Sequence, residues 1–99
     1  MPYKVLLAKS VDEMLLRHTE FISRVSIPAA EQFLAEFEEV VGQLKTAPAQ
    51  FPWDTNPNLP EHTYRKALFA KWYKAVFSID EDKQAVFLDA VVDGRSSGA

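Results

Sequence analysis

The chain reads as one α+β domain with its elements in the order β-α-α-β-β-β, a twisted antiparallel sheet carrying a helix hairpin on one face. Three observations predict this. Two consecutive stretches, residues 11–25 and 30–44, space their apolar side chains three and four apart. The last third of the chain then holds three short runs rich in β-branched and aromatic residues, divided by polar breaks. Finally, 99 residues, 47% of them hydrophobic and 12% aromatic, suffice for a single two-layered core but not for two. The domain is expected to span residues 1–95, with 96–99 a flexible tail.

Residues 3–8, a short apolar run between Pro2 and Ser10, predict the first strand. Ser10-Val-Asp-Glu13 has the form of a capping box, in which the Ser10 hydroxyl and the Glu13 carboxylate each satisfy a free amide of the first helical turn. Behind it, Val11, Met14, Leu15, His18, Phe21, Ile22 and Val25 form one apolar stripe of a helix running to about Arg24. Ser26-Ile27-Pro28 interrupts it, because proline suits the first turn of a new helix and pushes the residue before it out of the helical region. Ala30, Phe33, Leu34, Phe37, Val40, Val41 and Leu44 make the second stripe, with Glu31, Glu36, Glu38 and Glu39 facing water. Pro48 closes this helix.

Residues 47–62 contain four prolines, too many for a helix or a central strand. Phe51 and Trp53 are expected to pin this long connection to the core. Strands follow at residues 64–70, 73–79 and 84–92, with one turn at Ala70 and Lys71 and the next through Asp80-Glu81-Asp82-Lys83. A two-residue loop at Glu81 and Asp82 would set Asp80 opposite Lys83 and Lys74 opposite Asp89. Alternation then puts Ala75, Phe77, Ile79, Val86, Leu88 and Ala90 against the helices. The other face would carry Lys74, Val76, Ser78, Ala85, Phe87, Asp89 and Val91. Val76, Phe87, Asp89 and Val91 on that face form a candidate partner-binding surface, because so much apolar area on an outer face invites a cover.

Net charge is −3, which argues against broad electrostatic binding of nucleic acid. The first 62 residues are strongly acidic, whereas Arg65, Lys66, Lys71 and Lys74 lie between His62 and Ile79 with no acidic residue among them. The absence of cysteine excludes disulfides, thiol catalysis and cysteine-type zinc sites. No spacing of His, Asp and Glu suggests a metal site, no glycine-rich loop suggests a nucleotide cofactor, and no serine sits in a nucleophile elbow. His18, on the apolar stripe, reads as a satisfied boundary histidine. The apolar run near the N-terminus is too short for a signal peptide or a membrane span, so a soluble cytoplasmic protein is expected.

The segment from Tyr64 to Asp80 (Tyr-Arg, a few residues, Trp-Tyr-Lys, then a β-branched and aromatic run ending in Asp) resembles the central hairpin of the RelE/ParE toxin superfamily. The closing Val91-Val92-Asp93-Gly94-Arg95 resembles that family's last strand. The resemblance implies a bacterial type II toxin, often a plasmid-stabilising one, held in check by a cognate antitoxin that wraps it with a segment folding on binding. Members of the RelE branch cleave messenger RNA on the ribosome with basic residues and a terminal Tyr or His. Here Arg65, Lys74 and Arg95 would be the candidate catalytic residues of a metal-independent endoribonuclease. However, Lys74 stands where an arginine is usual, offering a point charge rather than a bidentate fork. Asp93 stands near the position often held by histidine. These departures favour the ParE branch, which binds DNA gyrase instead of cutting RNA. A catalytically inactive relative is the remaining alternative.

Overall fold

A computed structural model describes residues 2–94. The chain runs β1 (Lys4–Leu7), α1 (Lys9–Ser23), α2 (Ile27–Thr46), a 3₁₀ turn (Pro48–Gln50), β2 (Arg65–Phe69), β3 (Tyr73–Asp80) and β4 (Ala85–Asp93). This is the α+β order expected, but the sheet is mixed. Its strand order is β1-β4-β3-β2, and β1 lies parallel to β4 while the other neighbours are antiparallel. The cause is the helix hairpin. α2 brings the chain back to where β1 began, with Tyr3 N–H donating to the Lys45 carbonyl at 2.7 Å. β2 therefore sets out in the direction of β1, and two antiparallel steps leave β4 pointing the same way.

The two helix starts differ from one another. α2 is capped by Ser26, whose hydroxyl accepts from Ala29 N–H at 3.2 Å, with Pro28 in the first turn. α1 begins at Lys9 with Ala8 at its N-cap and no side-chain cap, so the capping box at Ser10 and Glu13 does not form. The chain passes from β1 into α1 without a loop, and Ala8 N–H is already bonded to the Leu88 carbonyl at 2.9 Å. That sheet bond sets the helix start two residues too early for Ser10 to cap it. The α1 stripe is buried at Val11 and half-buried at Leu15, His18 and Ile22, but Phe21 and Val25 are exposed at the far end, as is Leu34 on α2.

Phe33, Phe37, Val40 and Leu44 of α2 and Val11 of α1 pack on Ala67, Phe69, Tyr73, Ala75, Phe77, Val86, Leu88 and Val91. At its centre the Phe33 ring lies 4.8 Å from Tyr73 and 5.3 Å from Phe69. The β3–β4 register departs from expectation in two places. The connecting turn takes four residues, 81–84, with Gln84 at φ 48°, so Asp80 pairs with Ala85. The register then shifts between Val76 and Phe77, where Asp89 is the extra residue on β4. A shift by two residues keeps Ala75, Phe77, Ile79, Val86 and Leu88 on the helix side as expected. The bulge inverts the remainder of β4, so Val91 is fully buried in the core and Ala90 turns to the outer face opposite Val76.

Beyond the end of β1, the edge of β4 is served by side chains of α1. His18 Nε2 donates to the Val91 carbonyl at 2.9 Å, and Met14 Sδ accepts from Val91 N–H at 3.5 Å. His18 is thus the satisfied boundary histidine anticipated, held edge-on to Tyr73 at 4.9 Å.

Candidate functional site

The outer face of the sheet, away from the helices, holds the site. Strand alternation brings Tyr64, Lys66 and Leu68 beside Lys74 and Val76, and then beside Ala90 and Val92. Two further features complete the site. The first is the loop after the 3₁₀ turn, which wraps the free edge of β2. Lys66 N–H donates to the Pro52 carbonyl at 3.0 Å and Asp54 N–H to the Tyr64 carbonyl at 2.7 Å. Because Trp53 and Arg65 form the bridge between these bonds, their side chains share one side and Asp54 points to the other.

Asp54 reaches Lys74 there. The Nζ–Oδ2 distance is 2.8 Å, and both residues are buried, Asp54 at 4% exposure and Lys74 at 9%. Burial pushes the Asp54 carboxyl up, but the Lys74 ammonium, the Asn56 amide and the charge of Lys66 together hold it below the usual carboxylate range. The second feature is the bulge residue Asp89, half-buried on this face. Burial pushes its carboxyl up, and a hydrogen bond from the Tyr64 hydroxyl only partly offsets that.

Lys74 therefore pairs with Asp54, not with Asp89. The four-residue turn and the bulge carry Val92, rather than Asp89, opposite it. Nor does Lys74 share a site with Arg65. Arg65 is opposite Phe77 and so lies on the helix side of the sheet. Its guanidinium stacks on Trp53 at 3.9 Å and donates to the Phe51 carbonyl at 2.6 Å. Arg95 lies outside the described residues. Of the surface expected to meet a partner, Val76 is buried at 8% exposure and Val91 belongs to the core, while Phe87 and Asp89 remain half-buried on the outer face. Phe51 does anchor the loop, edge-on to Phe77 at 5.8 Å.

Sequence reasoning missed Asp54 and Tyr64. The only signal for Asp54 is an acidic residue beside Trp53 in a proline-rich loop, and nothing local ties it to a lysine 20 positions later.

A separate open surface lies at the top of the hairpin. Phe21, Ile22, Val25, Ala29 and Phe33 of the helix corner face Trp72 and Lys71 of the β2–β3 turn across an apolar groove of about 370 Å³. Val25 is 86% exposed. Among the described residues no group of three or more His, Cys, Asp or Glu could hold a metal ion, and no helix is long and apolar enough to cross a membrane.

Compared with solved structures, the chain resembles one from the Mycobacterium tuberculosis toxin–antitoxin complex RelBE2. The TM-score is 0.60, over 94% of this chain and 92% of that one, at 18% identity. The two chains share a fold. At this identity the likeness concerns the backbone arrangement and carries no residue-level assignment. No protein-family model matches the sequence, and no curated protein does.

Proposed function

We propose that this chain is the toxin half of a type II toxin–antitoxin pair of the RelE/ParE type, acting in the bacterial cytoplasm by binding its target as ParE toxins do. Support for the toxin reading comes from the fold shared with a chain of a toxin–antitoxin complex, together with the hairpin from Tyr64 to Asp80. Support for binding over cleavage comes from one observation. Lys74 is neutralised by a buried carboxylate, and Arg65 is on the opposite side of the sheet. Cleavage by the 2′-hydroxyl needs converging cations on the phosphate together with an acid and a base, and the described residues do not bring these together.

The antitoxin takes the open apolar groove between the helix corner and the β2–β3 turn, since Val76 is already buried and the core already holds Val91. Phe87 remains on the outer face for contact with the target. Expression of the chain alone should arrest growth, and co-expression with the product of the neighbouring gene should relieve the arrest. The Val25→Glu variant should stay folded and toxic but escape that relief. Harmless expression, with no partner retained on purification, would refute the reading.

A further inference from the structure

We infer that residues 51–62 form an autoinhibitory strap, in which Asp54 occupies a latent phosphodiester-binding site made by Lys74 and Lys66 on the outer face of the sheet. The inference concerns regulation of the face described above. Its biological meaning rests on the toxin reading, but its test does not.

Three features of the loop carry it. First, Asp54 is the point at which the segment engages the outer face, and it does so through a single ion pair at 2.8 Å. The two backbone bonds beside it, at Pro52 and at Asp54 itself, are at the sheet edge. Second, the segment's other holds on the strands lie at its start, at Phe51 and Trp53 through Arg65 and Phe77, whereas the hydrogen bonds of residues 55–62 run among themselves and to their chain neighbours. Asn56 N–H donates to Asp54 Oδ1, Asn58 N–H to Asn56 Oδ1, and Leu59 N–H to the Asn56 carbonyl. Residues 53–62 curl around a crevice of about 370 Å³. Such a segment can open without unfolding the sheet beneath it.

Third, the charges fit an exchange. Two ammonium groups act on one carboxylate, and a phosphodiester carries the same single negative charge. A phosphodiester entering as the strap lifts would therefore leave Lys74 paired, whereas a neutral ligand would leave it buried and alone. Tyr64, on the same face, offers a ring for a base to stack on.

The closed strap lowers apparent affinity by the fraction of molecules that are open. The test measures anisotropy of a labelled single-stranded oligonucleotide with the wild-type chain, Asp54→Asn, and Asp54→Asn combined with Lys74→Gln. Near-ultraviolet circular dichroism checks that each is folded. Asp54→Asn should bind about tenfold tighter than wild type or better, the gain should weaken as salt rises, and it should vanish in the double variant. Equal binding by wild type and Asp54→Asn, or a gain retained without Lys74, would overturn the inference. So would competition by poly-glutamate as strong as that by the oligonucleotide at equal charge. If Asp54→Asn does not fold, hydrogen exchange of the wild type takes its place. The Asp54 and Lys66 amides should then exchange together and well ahead of those in β3, and equal protection would overturn the strap. Because binding is read on the purified chain, its failure leaves growth arrest and antitoxin relief untouched as tests of the toxin reading.

Discussion

Replacing Lys74 with methionine keeps the length of the side chain and strands the Asp54 carboxylate. Asp54 is 4% exposed and its ion pair is 2.8 Å long. Breaking a buried pair by removing one partner costs about 3–5 kcal/mol, because the remaining charge is uncompensated. The strap sets an upper limit here, since an orphaned Asp54 regains water once the loop lifts. The cost should therefore fall at the low end, about 3 kcal/mol. In a domain of this size that lowers Tm by about 15 °C and still leaves a folded protein at room temperature. Replacing both partners, Lys74→Met with Asp54→Leu, should recover most of the loss.

Urea unfolding at constant m-value reads these differences directly. The acid limb supplies an independent sign. Asp54 has a lowered folded pKa, so its contribution is present above the unfolded value of about 3.9 and is lost as pH falls from there through the folded value. Without Lys74, burial is opposed only by the Asn56 amide and the charge of Lys66, so the carboxyl pKa rises and that slope should flatten. A loss below about 1 kcal/mol, the range of exposed pairs, with an unchanged acid limb would refute the buried-pair reasoning.

Asp89→Asn should stabilise the protein at neutral pH. The raised folded pKa of Asp89 means its ionisation opposes folding above the unfolded carboxylate value, so the advantage should shrink as pH falls towards about 4; unfolding curves across that range check the sign. Ser26→Ala removes the side-chain cap of α2 and should cost about 1 kcal/mol, visible as a shift in urea midpoint. Phe33→Ala empties the centre of the aromatic cluster with Phe69 and Tyr73 and should cost about 3–5 kcal/mol, measured in the same way.

The sequence made the helices and strands legible because each depends on local periodicity. The stripe from Phe33 to Leu44 is buried where its spacing says, and the turn at Ala70 and Lys71 occurs as read, both residues taking positive φ. What local pattern could not convey was registration. Polar composition predicts a two-residue turn between β3 and β4, yet Gln84 joins it through the left-handed region. The bulge at Asp89 has no glycine or proline to announce it. Those two offsets moved Lys74 away from Asp89 and sent Val91 into the core. The parallel placement of β1 was likewise hidden, because it arises from where α2 delivers the chain and not from any residue in β1. The candidate site was half legible. Lys74 stood out as a cation in an aromatic run, but its partner arrives from a loop whose path depends on pairing along the β2 edge.

On the proposed reading, this chain disables its target by binding, not by cutting RNA. The most direct measurement adds the purified protein to two reactions, DNA supercoiling by gyrase and translation of a defined messenger RNA followed by primer extension. The predicted result is inhibited supercoiling with full-length message. Cleavage within codons on the ribosome, with supercoiling unaffected, would contradict it.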